Sequence, residues 1–174
     1  MNNKINFSSV NISSDRIYHI NENDIRIVIS RLPVESYSRL RRVHFNDQSK
    51  GGRILGYVTF ARKEISICAL PTRMSMTRFL KKGQSPRQFG ARRGSQWPQI
   101  AIRRFLLYYV FLRELGHLQI IDQDAKEQRR KFAAETKAHE FAEYWRRTLW
   151  LKYFEHPDPV HNHPSRKELE ILDN

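Results

Sequence analysis

FLLYYVFLRELGHLQII, residues 105–121, is the stretch from which the rest of this chain is read. It opens with eight consecutive apolar residues, too many for one face of a surface helix, so it predicts a helix buried on nearly all sides. Into that apolar rod the sequence places Arg113, Glu114 and His117. At helical spacing Arg113 and His117 stack one above the other, and Glu114 lies three residues before His117, so all three project to the same side. Polar groups in a core helix are costly unless they are paired or functional. The triplet therefore needs a partner or a purpose.

Downstream, a connector at 122–124 leads to a second long helix over roughly 125–152, with two adjacent apolar stripes. Glu135 and His139 interrupt one stripe, one turn apart. Upstream, residues 53–60 (RILGYVTF) and 65–70 (ISICAL), joined by a polar corner and ended by Pro71, predict a β-hairpin. Ile25, Ile27 and Ile29 alternate with polar residues and predict a strand; residues 43–45 predict another. Pro33 opens a helical turn, 46–52 reads as a turn, and 72–80 as a short helix. The Asn/Ser-rich residues 1–24 read as a flexible arm, and the Pro/His-rich residues 156–174 as a tail. Three prolines within eight residues there forbid helix or central strand. His156, His161 and His163 then read as exposed, with a short helix over 166–172 closing the chain. The fold class is α+β: one domain over 25–155, with a small N-terminal antiparallel sheet packed on the buried helix and its long neighbour.

The chain has 174 residues, enough for one domain with a sizeable core, and 3 Trp, 7 Tyr and 10 Phe to fill it. Its single cysteine, Cys68, excludes an intrachain disulfide and sits in a strand pattern as a structural thiol. No apolar run reaches membrane-spanning length, and the first residues carry no signal-peptide pattern, so a cytoplasmic location is expected. Net charge is +13. Between Ile65 and Arg113 there is no Asp or Glu, while Arg73, Arg78, Lys81, Lys82, Arg87, Arg92, Arg93, Arg103 and Arg104 lie in that block. Its Gly/Ser/Pro/Arg-rich loop, 81–98, interleaves the bases with Phe89 and Trp97. That composition suits DNA or RNA, with cations on phosphates and rings on bases. The competing reading is a surface loop pinned to the core by its two aromatics.

A hydrolytic zinc site needs three protein ligands, an open position for water and a carboxylate to take the water's proton. The compact helical solution is His-Glu-x-x-His, with the two imidazoles at i and i+4 and the Glu as base. Here that motif reads Arg113-Glu114-Leu115-Gly116-His117. YVFLRELGHLQ resembles the active-site helix of gluzincin-type zinc metallopeptidases. Eighteen residues after His117, ETKAHEFA resembles their second signature, Glu-x-x-Ala-[Asp/Asn]-x-Phe-Ala, with Glu135, Ala138, Phe141 and Ala142 in place and His139 substituting for Asp or Asn. The resemblance implies a zincin-like fold over residues 25–155, zinc as cofactor, His117 and Glu135 as ligands and Glu114 as catalytic base. It also implies a peptide or protein substrate paired to the edge of the hairpin.

Arg113 breaks the motif. A guanidinium offers donors only and cannot ligate. Charges of +2 and +1 about 4 Å apart also repel by roughly 8 kcal/mol at an effective dielectric near 20. Three arrangements follow. The guanidinium replaces the metal and bridges Glu135 or Glu114, giving a pseudoenzyme. Alternatively, Arg113 swings aside and zinc sits on His117, Glu135 and His139, leaving an active peptidase. In the third, the groups only satisfy one another between two helices. A further reading keeps the fold as a scaffold for a basic nucleic-acid-binding protein, and a peptidase acting near nucleic acid would combine the two.

Overall fold

The computed structural model describes residues 4–12, 15–120, 128–151 and 155–174. The apolar run lies inside a helical rod made of α2 (Gln99–Phe105), a π-helical stretch (Leu106–Phe111) and α3 (Leu112–Gln119). Every residue of the π-helical stretch is buried. Because this part of the sequence is apolar all round, no hydrophobic phase reveals the widened turn. The predicted end of the helix at residue 121 and the connector at 122–124 lie outside the described residues. The second long helix is α4 (Gln128–Leu151).

A mixed four-stranded sheet covers the rod. Its order is β1 (Asn6–Ser9), β3 (Arg42–Asn46), β5 (Glu64–Cys68) and β4 (Gly56–Thr59). β1, β3 and β5 run parallel, and only β4 is antiparallel, to β5. Within this sheet the expected antiparallel pairing is confined to the hairpin, which is present. The expected arm is not free, since Asn6–Ser9 forms the far edge of this sheet. Arg16–Ile17 (β2) also pairs with Leu70–Pro71 (β6). β5 is buried along its whole length, as a central strand covered on both faces must be. Cys68, within it, is buried and its thiol is pushed up to about 11, chiefly by burial.

The segment with Ile25, Ile27 and Ile29 is a helix, α1 (Glu22–Ser30), not a strand. Asn21 and Asp24 close a capping box: the Asp24 N–H donates to Asn21 Oδ1, and the Asn21 N–H donates to Asp24 Oδ2. That start fixes a helical phase in which Ile25, Val28 and Ile29 are buried together. α1 supplies the crossover between the parallel strands β1 and β3. The predicted turn after Pro33 is a 3₁₀ turn at Val34–Tyr37, and the short helix expected at 72–80 shrinks to one at Thr77–Phe79. The chain closes with α5 (Arg166–Asp173), capped by Ser165 and Glu168.

α3 and α4 touch closely through Gly116. A Cβ there would stand 3.0 Å from Phe141 Cδ1 and 3.1 Å from Phe141 Cβ, an atom fixed to the α4 backbone. Gly116→Val should therefore push the two helices apart and cost about 1–3 kcal/mol in urea denaturation. A variant as stable as the parent would show that this contact does not set the helix spacing.

Candidate functional site

Arg113, Glu114 and His117 project from α3 towards α4, where Glu135 meets them. Arg113 NH1 donates to Glu114 Oε1 at 3.1 Å, and NH2 donates to Glu135 Oε2. His117 Nε2 lies 3.3 Å from Glu135 Oε1. One guanidinium thus bridges the two carboxylates, and the outer one also holds the imidazole.

The environment divides these groups. Glu114 is buried, and its carboxyl is pushed up to about 7 by burial; Arg113 pulls it down and Glu135 pushes it up. Burial likewise lowers His117, against the pull of Glu135. Burial would raise Glu135, but its hydrogen bond with Arg113 and that cation's charge hold it below the usual carboxylate range. Burial works against the Arg113 charge, yet Glu114 and Glu135 together raise its pKa. The guanidinium is the fixed charge around which the other three are set.

His139 is bonded to Tyr109 instead. Its Nδ1 pairs with the Tyr109 hydroxyl at 2.8 Å, and its ring lies edge-on to Tyr109. Tyr109, from the π-helical stretch, was invisible as a site residue because it sat in an apolar run. Among the described residues, the triad of metal-capable side chains with one ligand atom each within 4.8 Å of the others is Asp24, Asp158 and His161. His117, Glu135 and His139 do not form such a group. With Arg113 seated between the carboxylates, the motif residues do not fit a catalytic zinc.

A cleft of about 210 Å³ opens between the hairpin and α3, lined by Arg53, Gly56, Lys81, Tyr109, Arg113 and Glu114 among others. Along its rim β4 ends the sheet, and among the described residues no strand pairs with its outer edge. Cys68 N donates to Leu55 O, and the register pairs Tyr57 with Ser66 and Thr59 with Glu64. In an antiparallel ladder every second residue turns its N–H and C=O outward, so here Gly56 and Val58 present theirs away from β5.

The basic block is largely consumed within the fold. Arg104 is wholly buried, and Arg103 bonds Asp24 and Asp158 at 3.1 and 3.2 Å. Arg87 pairs with Asp173. Arg92 donates to the carbonyls of Ile171, Leu172 and Asn174. Arg78 donates to the Gly52 carbonyl. Phe89 and Trp97 are buried and stacked on each other with centroids 6.2 Å apart, so the nucleobase platform expected of them is absent: they are core. Among the described residues, the exposed Arg73, Lys82 and Arg93 make no side-chain hydrogen bond or ion pair, and exposed Lys81 reaches the cleft. His161, expected in an exposed tail, is completely buried. Among the described residues, no helix is long and apolar enough to cross a membrane.

The chain matches no family model, no curated protein and no solved structure.

Proposed function

We propose that this chain is a zincin-like domain in which a guanidinium has replaced the metal, leaving a pseudoenzyme that binds peptides without hydrolysing them. The observation that carries this reading is the Arg113 bridge between Glu114 and Glu135. It fills the space between the motif carboxylates with a group that cannot ligate a metal or polarise a carbonyl as a Lewis acid. The unpaired Gly56 and Val58 backbone supports strand addition by an extended segment. With Arg113 already paired to Glu114 and Glu135, Arg53 and Lys81 are the cations left in the cleft lining, so the segment favoured is an acidic one.

Restoring the missing ligand tests the reading. Arg113→His should bind one equivalent of zinc more than the parent by isothermal titration, and the added Glu135→Ala change should abolish that gain. A folded Arg113→His protein that gains no zinc would sink the zincin kinship. Zinc in the parent protein that disappears in His117→Ala would sink the pseudoenzyme.

A further inference from the structure

A second polar cluster lies inside the molecule, away from the α3–α4 site. Asp24 comes from the first turn of α1, and Asp158 and His161 from the segment between α4 and α5. Asp24 and His161 are buried and Asp158 is half-buried. Each is held by a bond on its far side. Asp24 Oδ2 accepts from the Asn21 N–H, and Asp158 Oδ1 accepts from the Val160 N–H at 3.1 Å. His161 Nδ1 pairs with the Tyr108 hydroxyl at 2.7 Å. This leaves Asp24 Oδ1, Asp158 Oδ2 and His161 Nε2 facing one another. His161 has no exposed surface, and its Nε2, 3.7 Å from Asp24 Oδ1, has no hydrogen-bond partner among the described residues. A buried imidazole nitrogen with nothing to bond is an unpaid cost that a ligand would remove.

The cation now at this place is Arg103, whose NH2 lies 3.1 Å from Asp24 and 3.2 Å from Asp158. It supplies one positive charge to two carboxylates and, among the described residues, makes no hydrogen bond to the imidazole. The Arg103 side chain is 23% exposed, so it has a route to solvent.

We infer that Asp24, Asp158 and His161 form a binding site for a divalent cation of the zinc class, taken up in exchange for Arg103. Two carboxylates neutralise such an ion, and an imidazole donor selects zinc, cobalt or nickel over magnesium or calcium. The outer bonds from Asn21, Val160 and Tyr108 are of the kind that orient metal ligands. An ion on Nε2 requires the His161 proton on Nδ1, where the Tyr108 oxygen, which also accepts from Arg31 NH1 at 3.1 Å, would accept it. Water completes the coordination. The ion would pin the segment before α5 to α1.

Cobalt(II) titration of the full-length protein, followed by its visible absorption and by displacement with zinc, tests the site. One equivalent should bind. Asp158→Asn, at the half-buried corner and least harmful to folding, should weaken binding about 100-fold. Arg103→Gln removes the competing cation and should tighten it roughly 10-fold, while His117→Ala should leave it unchanged. The inference fails if neither the parent nor the Arg103→Gln protein binds cobalt, or if binding ignores Asp158→Asn. Binding lost in His117→Ala but kept in Asp158→Asn overturns it too, and would instead place the metal at the α3–α4 site.

Discussion

Arg104→Met is expected to remove about 3–5 kcal/mol of stability, the range for breaking a buried ion pair from one side. The Arg104 guanidinium is fully buried, and all five of its N–H groups are used. Nε donates to Asn162 O, NH1 to Phe89 O and Glu168 Oε1, and NH2 to Pro159 O and Glu168 Oε2. One side chain therefore joins α2, the basic loop, the segment before α5 and α5 itself. Met fills the volume but leaves three carbonyls and a carboxylate without their donor, and each such loss is costly when buried. The loop is shaped to the guanidinium as well: Gly90 has φ +93°, and a Cβ there would lie 2.8 Å from NH1. Urea denaturation should show the loss, and hydrogen exchange should show α5 opening first. The bond between Glu168 and Arg104 holds that carboxyl below its usual range, against the effect of burial. Because that pKa is depressed in the fold, its contribution is present above the ordinary carboxylate range and is lost as pH falls through the folded value. Glu168→Gln should thus mimic acid with a smaller effect than Arg104→Met. An Arg104→Met protein within about 1 kcal/mol of the parent, the size of a typical single hydrogen bond, would mean that the cluster is not what fastens the C-terminal segment.

Much of this architecture was legible where the signal is local. Eight apolar residues in a row announced a buried rod, and the alternation on either side of residues 61–64 announced the hairpin of β4 and β5. Pairing of Arg113 with Glu135 or Glu114 was one of three arrangements open in the sequence, from the donor-only chemistry of arginine; in the fold it bonds to both. The misreadings have physical causes. Ile25, Ile27 and Ile29 alternate like a strand, but the Asn21–Asp24 capping box starts a helix first, and its spacing was there to be read. The parallel pairing of β1 depends on a crossover, which no window around residues 6–9 contains. The acid-free block from Ile65 to Arg113 looked like a surface for polyanions because its counter-charges lie far away in sequence, at Asp24, Asp158, Glu168 and Asp173. His161 was hidden in the same way. A proline-rich stretch without periodicity reads as tail until an arginine from α2 gives it something to fold against.

Glu114→Gln should stabilise the protein at pH 8 by ~3 kcal/mol and leave it almost unchanged near pH 4.5. In the fold, burial drives this carboxyl to about 7 from its usual 4.5; Arg113 moderates the rise and Glu135 adds to it. A carboxyl raised in this way binds its proton more tightly in the native state than in the unfolded chain. Its contribution therefore declines as pH rises from about 4.5 to about 7 and is flat above, where both states are ionised. The rise from 4.5 to about 7, at about 1.36 kcal/mol for each tenfold change in proton affinity, gives the ~3 kcal/mol. Glutamine keeps the shape and still offers an oxygen to Arg113 NH1, but has no charge to bury. The neighbours titrate the other way. Burial lowers His117, so it costs stability as pH falls through its ordinary value, and Glu135, held low by Arg113 against burial, does so at lower pH still. Parent and variant share both effects, so the difference between their pH–stability curves isolates Glu114. That difference should open between pH 4.5 and 7 and then stay constant; one flat across the whole range would show that Glu114 titrates in the fold as it does in the unfolded chain, with Arg113 offsetting its burial. Glu114 is thus a buried acid whose charge the fold tolerates poorly, and removing that charge should strengthen the pairing of α3 with α4.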